Sequence, residues 1–156
     1  MRKRDLASVI AALVLVGCGK DKPPQEDNAG TDFVAEMAQK DLPLVKAGIA
    51  AGKPGDVIFK CAAMSGVADL RKVERYQALA KDLTETCDHD LPLARMKVAT
   101  DNAEVARKAK PDEKVLSECF SAEFQGGLDD LQKAKREDDV SKALIARFKT
   151  VCPKGM

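Results

Sequence analysis

Four cysteines, at positions 61, 87, 119 and 152, sit in segments whose apolar residues recur at helical spacing. Val57, Cys61, Met64 and Ala68 follow one another at intervals of four, three and four. Val73, Tyr76, Ala80, Leu83 and Cys87 keep the same beat. Leu116, Phe120 and Phe124 stripe a later segment, and Ile145, Phe148 and Cys152 stripe the last, with Leu144 and Val151 beside them. Such spacing places side chains on one face of a helix of about 3.6 residues per turn. No sustained alternation and no Asn-Gly hairpin signal marks a strand. The pattern predicts an all-α chain.

Helix ends are expected where glycine, proline or aspartate interrupts the stripes. Asp41 is expected to cap a helix that has Pro43 in its first turn and ends at Gly52, and Asp56 to cap the next. Thr31 to Lys40 adds an amphipathic lead-in carrying Phe33, Val34 and Met37. Leu91 to Ala109 reads as a longer helix with an interruption at Asp101-Asn102, and Gly126-Gly127 reads as a kink or a break. An internal echo runs through these segments. Asp41-Leu42-Pro43-Leu44 recurs as Asp90-Leu91-Pro92-Leu93, and Lys53-Pro54 as Lys110-Pro111. Cys61 matches Cys119, the stretch from Gly66 to Lys72 matches Gly127 to Lys133, Ala78-Leu79 matches Ala143-Leu144, and Cys87 matches Cys152. The order suggests a duplicated three-helix unit, spanning residues 41–88 and 90–152.

The amino terminus has a different character. Arg2, Lys3 and Arg4 precede eleven apolar or small residues, Leu6 to Val16, a run too short to cross a bilayer, which takes roughly 20. It ends in Leu15-Val16-Gly17-Cys18. This resembles the lipobox signal of bacterial lipoproteins, over the first eighteen residues only. The resemblance implies cleavage after residue 17, with Cys18 as the lipidated first residue of the mature chain. Gly19, where an aspartate would retain the protein in the inner membrane, implies an outer-membrane anchor facing the periplasm; the inner membrane and the cell surface stay open as alternatives. Residues 18–30 hold no apolar side chain larger than alanine and proline beyond the cysteine, and are expected to form a flexible tether. The helical domain is expected over 31–156.

The leader holds three of the 26 basic residues and one of the 25 acidic ones, leaving 23 basic and 24 acidic side chains in the mature chain. So balanced a charge gives no field to gather nucleic acid, and none is expected as a partner. There is no Trp, one Tyr and five Phe, too few for stacking platforms.

With Cys18 assigned to lipid, four cysteines remain, and an even number in an exported chain points to two disulfides. If the chain turned sharply at Gly66, Cys61 and Cys87 would sit sixteen residues out of register, about 24 Å apart along a helix. A turn near the midpoint of each pair removes that mismatch. Glu137-Asp138-Asp139 supplies one between Cys119 and Cys152, with Asp139 as the next cap, and the repeat places its counterpart near Arg75-Tyr76. The reading favours Cys61–Cys87 and Cys119–Cys152. Its rival joins Cys61 to Cys119 and Cys87 to Cys152, and gains from the lack of any helix breaker between Arg71 and Gln77. The fold expected is a disulfide-stapled helical bundle of two tandem units.

Chemistry is sparse. Cys87-Asp88-His89-Asp90 contains the one histidine; its expected roles are a disulfide, a helix end and a cap at Asp90, with no metal and no cofactor. Asp129-Asp130 and Glu137-Asp138-Asp139 hold neighbours that point about 100° apart on a helix, so neither pair makes an acid–base dyad. No serine elbow, phosphate loop or zinc-protease motif occurs. No catalytic residue is expected. Two functions follow: an anchored module that binds an envelope protein, or a carrier holding an apolar ligand in a cavity lined by Phe59, Met64, Phe120 and Phe124.

Overall fold

A computed structural model describes residues 29–62 and 66–153. The leader, Cys18, most of the tether and Met64 lie outside these residues. Helix α1 spans Ala29–Ala50, α2 Ile58–Ala62, α3 Val67–Leu70, α4 Gln77–Glu85, α5 Leu91–Ala109, α6 Ala122–Ala134 and α7 Asp139–Val151. Short 3₁₀ turns cover Pro54–Val57, Glu74–Tyr76 and Ser117–Phe120, and a wide π-turn covers Thr86–Asp90. No strand occurs among the described residues, so the chain is all-α. None of their helices is long and apolar enough to cross a membrane.

Two hydrophobic clusters form the core, and the first reaches beyond the expected unit 41–88 to Ala35 and Ala38 on one side and Leu91 on the other. The first gathers Ala35, Ala38, Leu42 and Val45 of α1 with Val57, Leu70, Ala80, Leu83 and Leu91. The second gathers Met96, Ala99 and Ala103 of α5 with Leu116, Phe124, Leu128, Leu131, Leu144 and Phe148. Positions matched in the echo are not all matched in place, since Leu42 and Leu91 both lie in the first cluster. Leu70 and Leu131 are both fully buried, and so are Leu83 and Phe148, each four residues before a bonded cysteine. Cys61 pairs with Cys87 and Cys119 with Cys152, with Cα–Cα separations of 5.6 and 5.4 Å. This is the favoured connectivity, one bridge per unit.

The break that the first bridge requires falls between Arg71 and Gln77, where no glycine or proline stands. The backbone turns extended at Val73 (φ −102°, ψ 114°). Two of the next three residues are held from α1: Asp32 accepts from Arg75 Nη2 at 2.5 Å and from the Tyr76 hydroxyl at 2.9 Å. Tertiary partners, with a β-branched residue at the bend, replace the missing breaker.

Several expected helix ends are absent. Helix α1 begins at Ala29, two residues inside the expected tether, and runs through Asp41-Leu42-Pro43-Leu44 without a break. The run α4, π-turn, α5 likewise carries the helical path through Asp90-Leu91-Pro92-Leu93. Neither aspartate caps. Asp41 accepts from Lys60 Nζ of α2 at 2.8 Å, and Asp90 meets His89. Burial of Leu42 and Val45 on one side of Pro43 outweighs the roughly 3 kcal/mol that an interior proline costs. Gln39, whose carbonyl loses its helical donor, is exposed, so water can serve it. Asp56 lies inside a 3₁₀ turn rather than at a cap, whereas Gly52 ends α1 as expected, in the left-handed region at φ 68°.

Asp101-Asn102 does not interrupt α5, and Gly126-Gly127 neither kinks nor ends α6. The glycines instead let α6 press against α5. A Cβ on Gly127 would stand 2.6 Å from the Pro92 carbonyl oxygen, and one on Gly126 would stand inside the Arg95 guanidinium. Helix α6 closes at Lys135, a left-handed residue at φ 54°. Asp138, one residue before the expected cap, accepts from the Ser141 amide at 2.8 Å while the Ser141 hydroxyl accepts from the Asp138 amide, a reciprocal capping box that starts α7.

Candidate functional site

The two units meet around the π-turn, and the polar side chains of the joint collect there. Two features mark this stretch of helix. Cys87 is bonded to Cys61 one turn before Pro92, and Pro92 cannot donate to the carbonyl of Asp88. A turn closed by i→i+5 bonds brings residue 90 over residue 85, where an α-helix would swing it roughly 140° away. Glu85 and Asp90 therefore both reach the same face of His89. His89 Nδ1 lies 3.1 Å from Asp90 Oδ1 and 3.3 Å from Glu85 Oε1. Its Nε2 lies 2.8 Å from Asp138 Oδ2, in the second unit. The other oxygen of Glu85 accepts from Arg136.

The His89 side chain is 17% exposed. Burial pushes its pKa down, but hydrogen bonds to Asp138 and Asp90, with the charges of Asp138 and Glu85, more than offset this, and the net shift is upward. Asp138 is held below the usual carboxylate range, first by the Ser141 amide and then by His89.

Beside this cluster an open cleft of about 530 Å³ lies between the units. Ile58, Leu91 and the Cys61–Cys87 bridge form its apolar part, and Asp88, Arg95, Asp130 and Lys133 its charged part. Arg95 is 11% exposed at its side chain and is spanned by two acids of α6, with Glu123 and Asp130 each 2.8 Å away. The acid neighbours noted in the sequence therefore separate. Asp130 neutralises Arg95, while Asp129 accepts from Gln125 at 2.7 Å. Asp138 is a cap, and Asp139 is fully exposed.

Three phenylalanines lie outside both cores. Phe59 is 83% exposed, Phe120 70% and Phe33 60%. Phe59 stands two residues before the first bonded cysteine of its unit, and Phe120 follows Cys119 directly. Phe120 was expected on the stripe between Leu116 and Phe124, both of which are buried. The stripe fails because residues 117–120 form a 3₁₀ turn and Ser121 is extended, so the helical phase is lost between them. The four residues expected to line a ligand cavity are not brought together. Phe59 and Phe120 are exposed, Phe124 is stacked on Phe148 in the second core at 3.8 Å between centroids, and Met64 lies outside the described residues.

Glu85 escaped the sequence reading, and Asp138 entered it only as part of a turn. A Glu85–His89 pair at i,i+4 was visible, but Asp138 is 49 residues from His89 and no local signal joins them. No protein-family model matches the chain, and neither a curated protein nor a solved structure matches it.

Proposed function

We propose that the chain is an envelope lipoprotein, cleaved before Cys18 and anchored through it to the outer membrane on the periplasmic side, whose helical domain is a non-catalytic module for binding another envelope protein. The leader supports the anchor, and two disulfide bridges, one buried and one partly exposed, suit an oxidising compartment. The observation that carries the binding role is the exposure of Phe59 and Phe120. A chain with five phenylalanines leaves three of them largely in water, and two of these, Phe59 and Phe120, stand one beside each bridge. An aromatic side chain offers a large apolar area with only two rotatable bonds to order on docking, and the neighbouring bridge limits how far the backbone that carries it can move.

The test is site-specific photo-crosslinking in living cells, with the probe residue placed at 59 and at 120 in separate strains. A discrete protein adduct from either position is expected, and loss of it when the other phenylalanine is changed to alanine. Adducts to no protein from both positions would remove the binding role. The anchor is tested separately. Fatty-acid labelling of the wild type is expected, and its persistence in Cys18→Ser would refute lipidation at that residue.

A further inference from the structure

We propose that Glu85, His89 and Asp90 form a binding site for one divalent transition-metal ion of the zinc class. The ligand atoms are His89 Nδ1 and one carboxylate oxygen each from Glu85 and Asp90, and all three lie within 4.8 Å of one another. A tetrahedral zinc ion with bonds of about 2.0–2.1 Å holds neighbouring ligand atoms roughly 3.3 Å apart. The distances from Nδ1 are 3.3 Å to Glu85 and 3.1 Å to Asp90. The two carboxylates are half-exposed and can close the third edge by rotation.

The opposite edge of the imidazole strengthens the assignment. A histidine that binds a metal through one nitrogen donates the N–H of the other to a carboxylate or carbonyl, which fixes tautomer and ring angle. Asp138 occupies that place, 2.8 Å from Nε2, and is itself fixed by the Ser141 amide. Zinc would displace the Nδ1 proton that Asp90 accepts in the metal-free protein, releasing it to solvent, and with the remaining proton on Nε2 the Nδ1 lone pair is free for an ion held between the two acids. One neutral imidazole and two carboxylates neutralise a dication. Arg136 engages Glu85 Oε2 and leaves Oε1, the oxygen beside His89 Nδ1, for the ion. A nitrogen donor in a three-ligand set favours zinc, copper or nickel over calcium and magnesium, which take oxygen ligands. Cys87 is no ligand, since its sulfur is bonded to Cys61.

The π-turn is what assembles the set, because only the wide turn places Asp90 above Glu85. Metal uptake would lock that turn and, through Asp138, the start of α7.

The test uses the full chain, purified in detergent without a histidine tag, oxidised, and stripped with chelator. Calorimetric titration with zinc is expected to show one ion per chain with a Kd of about 1–10 µM, and no binding of calcium or magnesium in the same range. His89→Gln is expected to weaken zinc binding by about 100-fold or more, and Glu85→Gln or Asp90→Asn by at least about tenfold. Asp138→Asn keeps an oxygen for the Ser141 amide but removes the carboxylate from Nε2, and it should weaken zinc binding about 10-fold. His89 is the one histidine in the chain, so nitrogen NMR of the imidazole reads the site directly: zinc should move Nδ1 and leave Nε2 protonated. The proposal fails if about 100 µM zinc gives no binding, if His89→Gln binds as the wild type does, or if the ion shifts Nε2 instead.

Discussion

Gly127 of α6 and Pro92 of α5 touch backbone to backbone: a methyl group on Gly127 would sit 2.6 Å from the Pro92 carbonyl oxygen and 2.9 Å from Met96 Cγ. Alanine is the better helix former by about 1 kcal/mol, and in an open helix Gly127→Ala would stabilise. Here the oxygen belongs to a main chain that cannot swing aside. Overpacking of this kind costs about 1–3 kcal/mol, so Gly127→Ala is expected to destabilise on balance. Urea unfolding at neutral pH measures it, and a midpoint at or above wild type would show that the two helices can part without loss.

Each bridge closes a loop that the unfolded chain would otherwise leave open. The spans are 26 and 33 residues, for which loop entropy amounts to about 3.5 kcal/mol apiece. Replacing either pair with serine is expected to lower unfolding free energy by about that amount, and replacing both to leave the domain largely unfolded, given net stabilities of about 5–15 kcal/mol for such domains. Circular dichroism melts of the three variants decide this.

Arg147 of α7 is clamped to α5. Its Nε lies 2.5 Å from Glu104 Oε1, and its Nη2 lies 2.7 Å from Glu104 Oε2 and 2.8 Å from Asp101. Hydrogen bonds from Lys97 and then Arg147 hold Asp101 below its ordinary carboxylate range, and Arg147 does the same for Glu104. A carboxylate depressed by folding contributes stability that is complete above its unfolded pKa, about 4, and fades as pH falls through the lower folded value. The wild type should therefore lose stability from about pH 5 downward. Arg147→Gln should flatten that acid limb while changing the melt at pH 2 little. An unchanged slope would mean that the clamp is not a determinant of acid stability.

Two phenylalanines four residues apart in sequence have opposite fates. Phe124 is buried against Phe148, whereas Phe120 is in water. Phe124→Ala or Phe148→Ala should cost about 3–5 kcal/mol, and Phe120→Ala less than about 0.5 kcal/mol. Equal losses at 120 and 124 would place Phe120 in the core after all.

Much of this architecture was written locally. Ala80 and Leu83 of one stripe name the buried face of α4; in the last stripe Phe148 and Cys152 are buried as expected, while Ile145 is half-buried and its neighbour Leu144 takes the core place. The midpoint argument names both bridges. What misled is equally specific. Asp41 and Asp90 carry the local signature of a cap, yet each sits inside a longer helical path, because Leu42 and Leu91 are buried in the first core and the chain follows that burial. Gly126-Gly127 looks like punctuation and is a contact surface, since what glycine offers there is the absence of a side chain rather than a special torsion. The joint was out of reach, because Asp138 and Arg136 come to the π-turn from about fifty residues away and no periodicity encodes that meeting.

The rod from Gln77 to Ala109 serves as a party wall. Leu91 plugs the first core from it, and Met96, barely more than a turn further on, plugs the second. Only a cut just after Leu91 would take no brick from either house, and it would still part Glu85 and His89 from Arg136 and Asp138, so the two houses share mortar even though each keeps its own bricks and its own rivet.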